Sequence, residues 1–259
     1  MSGWCLVTGA SGGIGAELAR EAARDGYDLI LSARDVARIE PLAQELRDGG
    51  RDVVTLAADL AQPDGAETLW HAARDGREIA VLVNNAGLGV HGRIQDGDTW
   101  GRERETVAVN VTAAADLMKL AAVDMAARGA GRILNVASSA AFMPGPGMGR
   151  YHASKVFLLY LSEAAWQDLQ GTGVSVTALC PGPVDTGFFD AGGMQDALAL
   201  RMLPKARADV VARAGWRGAK AGRRMVVPGL LYKIIGFSTR FMPRGALVRG
   251  TQTYWSKRR

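Results

Sequence analysis

The feature that most constrains this chain is the regular return of short apolar runs, each separated from the next by a longer segment. They fall at Cys5-Leu6-Val7, Leu29-Ile30-Leu31, Val53-Val54-Thr55-Leu56, Val81-Leu82-Val83, Ile133-Leu134-Asn135-Val136 and Val174 to Leu179. Runs this short and this continuously apolar read as parallel strands buried on both faces. Between them, Ala16 to Asp25, Val36 to Asp48 and Asp64 to Arg77 are rich in Ala, Leu, Glu and Arg at helical spacing. Gly49-Gly50 and Gly129-Ala130-Gly131 stand where helix C-caps are expected. Such an alternation predicts an α/β chain with a doubly wound parallel sheet of about seven strands and helices on both faces, the seventh strand at Arg224-Met225-Val226-Val227. At 259 residues with 48% hydrophobic content the whole chain, 1–259, fits one catalytic domain with a large core. Within it, residues 187–224 are expected to supply a substrate lid and a helix, and 229–259 an apolar and basic extension.

Directly after the first strand comes Thr8-Gly9-Ala10-Ser11-Gly12-Gly13-Ile14-Gly15, opening into a helix near Ala16. Glycines let the backbone turn tightly and approach a pyrophosphate, while the free N–H groups and the positive end of the helix favour the anion. At a strand-to-helix junction this is a dinucleotide cradle of the Rossmann type, placing Gly9, Ser11, Gly12, Gly13 and Ile14 at the cofactor. The second strand ends Leu31-Ser32-Ala33-Arg34-Asp35, with Ala33 where an acid would hold both ribose hydroxyls. A missing acid followed by Arg34 suits a 2′-phosphate, so NADP(H) is the preferred cofactor. NAD(H) is the alternative if Asp35 reaches the ribose and Arg34 is a surface residue. Asp59, in Ala58-Asp59-Leu60, is placed to accept from an adenine amino group, its plainer reading being a helix N-cap.

Tyr151 and Lys155 stand four apart, which on a helix stacks phenol and ammonium on one face. A nearby cation favours the phenolate and brings a group that ordinarily titrates near ~10 toward working pH. With the Thr8 to Gly15 cradle, Asn84-Asn85-Ala86-Gly87, Ser138, Tyr151-x-x-x-Lys155 and Pro181-Gly182 in order, the chain resembles the short-chain dehydrogenase/reductase family over about residues 4 to 190. The Ala-Arg-Asp ending of the second strand is similar to that of NADP-dependent bacterial members related to ketoacyl and hydroxysteroid reductases. The resemblance implies Tyr151 as general acid or base, Ser138 as hydrogen-bond donor to the carbonyl oxygen, and Lys155 lowering the phenol pKa and holding the nicotinamide ribose. It further implies that Asn110 orders a water connecting Lys155 to solvent. Asn85, Ala86 and Gly87 would line the adenosine and ribose cleft with Asp59 and Leu60, and Pro181, Gly182 and Val184 the nicotinamide, with Thr186 at its carboxamide. Homodimers or homotetramers are usual in that family.

The loop after Ser139, Ala140 to Pro146, and the lid, Gly187 to Met194, are apolar and rich in small residues. They favour an apolar ketone or aldehyde, and the corresponding alcohol, over a sugar. A non-catalytic NADP(H)-binding sensor or scaffold is the competing reading, against which the intact Ser138, Tyr151 and Lys155 stand. His71, His91 and His152 are scattered, so no metal site is expected, and Cys5 and Cys180 lie in separate apolar runs, away from any zinc or disulfide spacing.

Charge is unevenly spread. Residues 201 to 259 hold 15 Lys and Arg against the one acid Asp209, which leaves 16 against 25 for the first 200 residues. The basic tail, with Leu230 to Phe237 at its apolar centre, has three readings: packing over the substrate cleft or a neighbouring subunit, peripheral contact with acidic lipid as part of a lipid-directed reductase, or an acidic carrier partner. It carries no nucleic-acid-binding pattern, and none is expected. Without a basic leader or a visible membrane-spanning window, the expected location is the cytoplasm.

Overall fold

The structure, a computed structural model, describes residues 3–193 and 205–255. Seven parallel strands form one sheet in the order β3-β2-β1-β4-β5-β6-β7, with β1 Trp4–Thr8, β2 Asp28–Ala33, β3 Val53–Ala57, β4 Ile79–Asn84, β5 Gly131–Val136, β6 Val174–Leu179 and β7 Met225–Val226. Side chains alternate across it. Cys5 and Val7 enter one apolar layer while Leu6 enters the other; Leu29 and Leu31 part from Ile30, and Val81 and Val83 from Leu82, in the same way. These residues are fully buried, each contributing about 1.5–3 kcal/mol of transfer free energy. The first layer is closed by α1 Gly13–Arg24 and α2 Glu40–Asp48 with α8 Ala208–Lys220, through Leu18, Leu42, Val211 and Trp216. The second is closed by α3 Gly65–Arg74, α5 Ala114–Arg128 and α6 Gly149–Asp168, through Trp70, Leu117, Met125 and Leu161.

The chain runs outward through β1, β2 and β3, then crosses back to lay β4 on the other side of β1. At this reversal the carboxyl ends of β1 and β4 diverge, and the crevice between them is where an open parallel sheet binds its ligand.

Two sequence expectations need adjustment, and the glycine C-caps are met. The helix expected over Val36 to Asp48 is broken into a 3₁₀ turn, Val36–Arg38, and α2, because Pro41 stands in the first turn of α2 and fixes a new start. Of the two glycine C-caps, Gly129 is left-handed at φ 72° after α5, and Gly50 rather than Gly49 is left-handed after α2. A stretch long and apolar enough to cross a membrane does exist: Gly97–Arg128, joining α4 Trp100–Val107 to α5. Its apolar residues Leu117, Ala121 and Met125 are packed on the sheet, so its composition is that of a core helix.

Beyond β6, α7 Phe188–Ala191 begins the expected lid, and Met194 lies outside the described residues. The extension folds as two helices, α9 Leu230–Ser238 and α10 Arg244–Trp255.

Candidate active site

A cavity of about 670 Å³ opens along the carboxyl ends of the strands. One end is made of backbone. Gly9 and Gly13 have φ of 65° and 57°, and a Cβ on Gly9 would stand 2.8 Å from the Cα of Ala86. On Gly13 it would stand 2.8 Å from Cγ2 of Thr186, and on Gly15 it would strike the Gly9 carbonyl and the Asn85 amide. Asn85 locks this junction, its amide donating to the carbonyls of Thr8 (2.9 Å) and Gly9 (3.0 Å). The Thr8 hydroxyl accepts from the backbone N–H of Asn85 and Ala86, both at 3.0 Å, and donates to Val83. The loop therefore presents the N-terminus of α1 to the cavity with no side chain in the way, which fits a pyrophosphate. Ser11, Gly12 and Ile14 line it with the glycines.

The adenosine end is lined by Ala33, Arg34, Arg38, Ala58 and Leu60. Arg34 forms an ion pair with Glu105 of α4 at 2.8 Å. Asp35 is turned to another task, its carboxylate accepting from the N–H of Ala37 at 3.0 Å to cap the 3₁₀ turn. Asp59 is not the N-cap of α3. Its carboxylate closes a turn through the N–H of Ala61 (3.1 Å) and the amide of Gln62 (3.0 Å), outside the cavity lining, and Asp64 is the residue that precedes α3. Asp59 is a short acid next to a tight turn, where such local bonds compete well with a ligand.

At the opposite end stand Ser138, Tyr151 and Lys155, with Asn110 behind them. Ser138 leaves β5 as the N-cap of a 3₁₀ turn, its Oγ accepting from the N–H of Ala140 at 3.1 Å, and it lines the cavity with Tyr151. Tyr151 and Lys155 lie one turn apart on α6, with Nζ 5.9 Å from the phenol ring centre. Lys155 is buried, donates to the Val136 carbonyl at 2.8 Å and lines the cavity. Gly87 makes room for it, since a Cβ there would come within 3.3 Å of Nζ. Burial pulls the Lys155 ammonium down to about 8. The phenol is moved opposite to the sequence expectation: burial raises the Tyr151 pKa, with the neighbouring Ser138 acting against that rise. At 5.9 Å and committed to a carbonyl, the ammonium is a weaker influence on the phenol than desolvation is.

Asn110 sits in a π-helical segment, Ala108–Ala113, between α4 and α5. The wider turn swings its amide across to the loop after β4, where it donates to the Leu88 carbonyl and accepts from the Leu88 N–H, both at 2.8 Å. It also donates to the Ser154 hydroxyl at 3.0 Å, so it braces the loop of Gly87 against the helix of Lys155.

Pro181, Gly182, Val184 and Thr186 continue the lining from the end of β6. Opposite them Met143, Phe188 and Phe189 form an apolar wall, with the Tyr151 and Phe188 rings 5.4 Å apart. Of the readings of the basic tail, packing over the substrate cleft is the one the fold follows. Tyr232 and Ile235 of α9, and Leu247 and Thr251 of α10, face into the cavity, and the Tyr232 ring lies directly against Gly182. The individual roof residues and Arg38 were not singled out: the roof reaches the site through packing of a distant segment, and Arg38, in the 3₁₀ turn just after Arg34, carries no motif.

A profile of the short chain dehydrogenases matches residues 3–195. Serine 3-dehydrogenase of Agrobacterium fabrum is 34% identical over 208 residues, which is 76% of this chain and 79% of that protein. Among solved structures, a short-chain dehydrogenase from Sphingobium yanoikuyae in complex with NADPH is 30% identical with a TM-score of 0.81, covering 92% of this chain and 94% of its own. Another from Burkholderia phymatum in complex with NAD is 25% identical with a TM-score of 0.81, covering 100% and 98%. With its sheet order, its glycine cradle and this match over most of its length, the chain belongs to the short-chain dehydrogenase/reductase family of oxidoreductases, which act on CH–OH donors.

Proposed function

We propose that this protein interconverts an apolar ketone or aldehyde and its alcohol with NADP(H), using Tyr151 as the general acid and base. The observation that carries this is the convergence of Ser138, Tyr151 and Lys155 in the lining of one cavity, with Ser138 near enough to the phenol to favour its ionised form. The nicotinamide, when bound, supplies or accepts the hydride. Gly9, Ser11, Gly12, Gly13 and Ile14 would hold its pyrophosphate, Leu60, Asn85, Ala86 and Gly87 the adenosine side, and Pro181, Gly182, Val184 and Thr186 the nicotinamide side.

In the reducing direction negative charge grows on the substrate oxygen. Ser138 stabilises that oxygen by hydrogen bonding, and Tyr151 gives it the proton. A phenol held protonated by burial is suited to donate. Lys155, still largely cationic at neutral pH, adds positive potential near the developing oxyanion and has N–H directions left over from Val136 for a ribose hydroxyl. Asn110 keeps the Leu88 loop and α6 in register, consistent with ordering a water behind Lys155.

Preference for NADP(H) is supported by Arg34 and Arg38 in the lining and by the carboxylate of Asp35 being occupied in a cap. The apolar wall of Met143, Phe188 and Phe189 supports an apolar substrate. The chain would act as one catalytic unit, as a homo-oligomer in the cytoplasm. The test is direct: the purified chain is titrated with NADPH and NADH and assayed against a panel of ketones, aldehydes and alcohols. NADPH-dependent turnover of bulky apolar ketones is expected. Failure to bind either nucleotide, or to turn over any panel member, would remove the proposal.

A further inference from the structure

The two C-terminal helices have two faces, and only one of them serves the cavity. Tyr232, Ile235 and Leu247 point inward. On the outer side Leu230, Ile234, Phe237 and Phe241 are 73%, 56%, 59% and 74% exposed. Half of the fourteen large exposed apolar side chains among the described residues lie between Leu230 and Val248. That concentration is a patch, and patches of this kind mark interaction surfaces. Phe237 and Phe241 pack edge to face with ring centres 5.2 Å apart, and the Arg240 guanidinium lies 5.9 Å from the Phe237 ring centre.

The charge carried by the two helices has a single sign. From residue 210 to the end the chain contains no Asp or Glu, and Lys233, Arg240, Arg244 and Arg249 are all exposed. A two-fold contact between copies through this face would set those cations against their own equivalents, which disfavours a second copy as the occupant. Apolar and aromatic side chains interleaved with arginine and lysine, on short helices lying flat on the protein, suit the interfacial zone of an anionic bilayer. Met242 joins the two faces: it is 43% exposed at the patch and also lines the cavity, so the cavity rim opens onto the apolar surface.

We infer that α9 and α10 dock this protein on anionic lipid, and that the carbonyl substrate enters from the lipid phase past Met242. The docking stands independently of the proposed reaction; the route of the substrate rests on it. Flotation with vesicles of phosphatidylcholine alone, and with about 30% phosphatidylglycerol added, measures the docking without reference to activity. The full chain is expected to float at least about tenfold more with the anionic vesicles and to be released by salt. The double variant Phe237→Glu, Phe241→Glu changes only outward side chains. It should lose roughly tenfold of that binding while keeping its thermal midpoint, its NADPH affinity and its turnover of a water-soluble ketone.

Absence of flotation on anionic vesicles overturns the docking, as does a double variant that floats like the parent. A double variant that changes oligomeric state in lipid-free sedimentation overturns it too, since the face would then be an interface between copies. The route of entry is tested with a ketone dissolved in the vesicles, whose rate should fall in the double variant in proportion to binding; an unchanged rate overturns it. Flotation without turnover of either ketone leaves the docking in place and removes the proposed reaction instead.

Discussion

At the glycine-loop end the cavity walls are backbone, whereas at the roof they are side chains from two helices with an exposed outer face. The first end is held by bonds that reach across the sheet: Thr8 and Asn85 tie β1 to the end of β4, and Gly15 leaves room only for the Gly9 carbonyl. Nothing there can change without displacing main chain, so the shape suits one ligand class. The roof is held by packing of Tyr232 on Gly182 and of Gly236 beside Phe142, contacts made with side chains that can shift. One end fixes which cofactor class fits; the other leaves the substrate to the identity of a few large residues.

The largest effect expected belongs to neither end but to the chemistry between them. Tyr151→Phe removes the proposed proton donor and should lower kcat by about 10²–10⁴. NADPH affinity should stay within about threefold, measured by fluorescence titration. A noncatalytic cofactor-binding protein would show no turnover for Tyr151→Phe to remove. Next comes Lys155, whose buried ammonium is pulled down to about 8 from an unfolded value near ~10.4. Between those values the unfolded chain binds more protons than the folded one, so this residue makes stability rise with pH from about 8 to about 10.5. Cys5, Cys180 and Tyr151, all raised by burial, act in the opposite sense. The difference between parent and Lys155→Met isolates the lysine: the variant's advantage should be largest below pH ~8 and shrink by up to about 3 kcal/mol by pH ~10.5 in denaturant titrations. A pH-independent difference would mean that the ammonium is solvated in the folded chain.

The backbone end is sharpened by Arg34. Arg34→Ser should raise the KM for NADPH by roughly tenfold or more and leave that for NADH nearly unchanged. Glu105→Gln frees the guanidinium from its 2.8 Å partner and should lower the NADPH KM by about two- to fivefold. If both variants change NADH and NADPH alike, Arg34 is structural and the preference lies elsewhere.

The contrast between the two ends also explains what could be read from the chain. The sheet, its seven strands and the cradle were legible because each is encoded locally: an apolar run of strand length, or glycines at one junction. Tyr151 and Lys155 were legible as a pair because helix geometry converts their spacing into proximity, whereas Ser138, on a separate turn, was placed by the resemblance. The N-cap reading of Asp59 gave way to Asp64 because a short acid near a turn has local uses that spacing does not reveal, and the direction of the phenol's shift was not legible because burial is a tertiary property. Tyr232 and Leu247 were not legible one by one, although the tail's packing over the cleft was among its readings, because they meet the site only after a distant segment has packed; Arg38, in the turn just after Arg34, carried no motif.

The smallest effect expected tests the roof itself. Tyr232 lies against Gly182, so Tyr232→Ala should open the cavity above the nicotinamide side without touching the glycine loop or Tyr151. Loss of one aromatic contact with an apolar substrate is worth about 1 kcal/mol, so the KM for a bulky ketone should rise roughly five- to tenfold, with kcat and NADPH affinity nearly unchanged. A small ketone that never reaches the roof should show no change. Gly182→Ala approaches the same contact from below, pushing the ring outward, and should reproduce the direction of the Tyr232→Ala result for the bulky ketone. If either substitution weakens NADPH and spares the ketone, α9 belongs to the cofactor end, and the division of the cavity into a fixed floor and a variable roof is wrong.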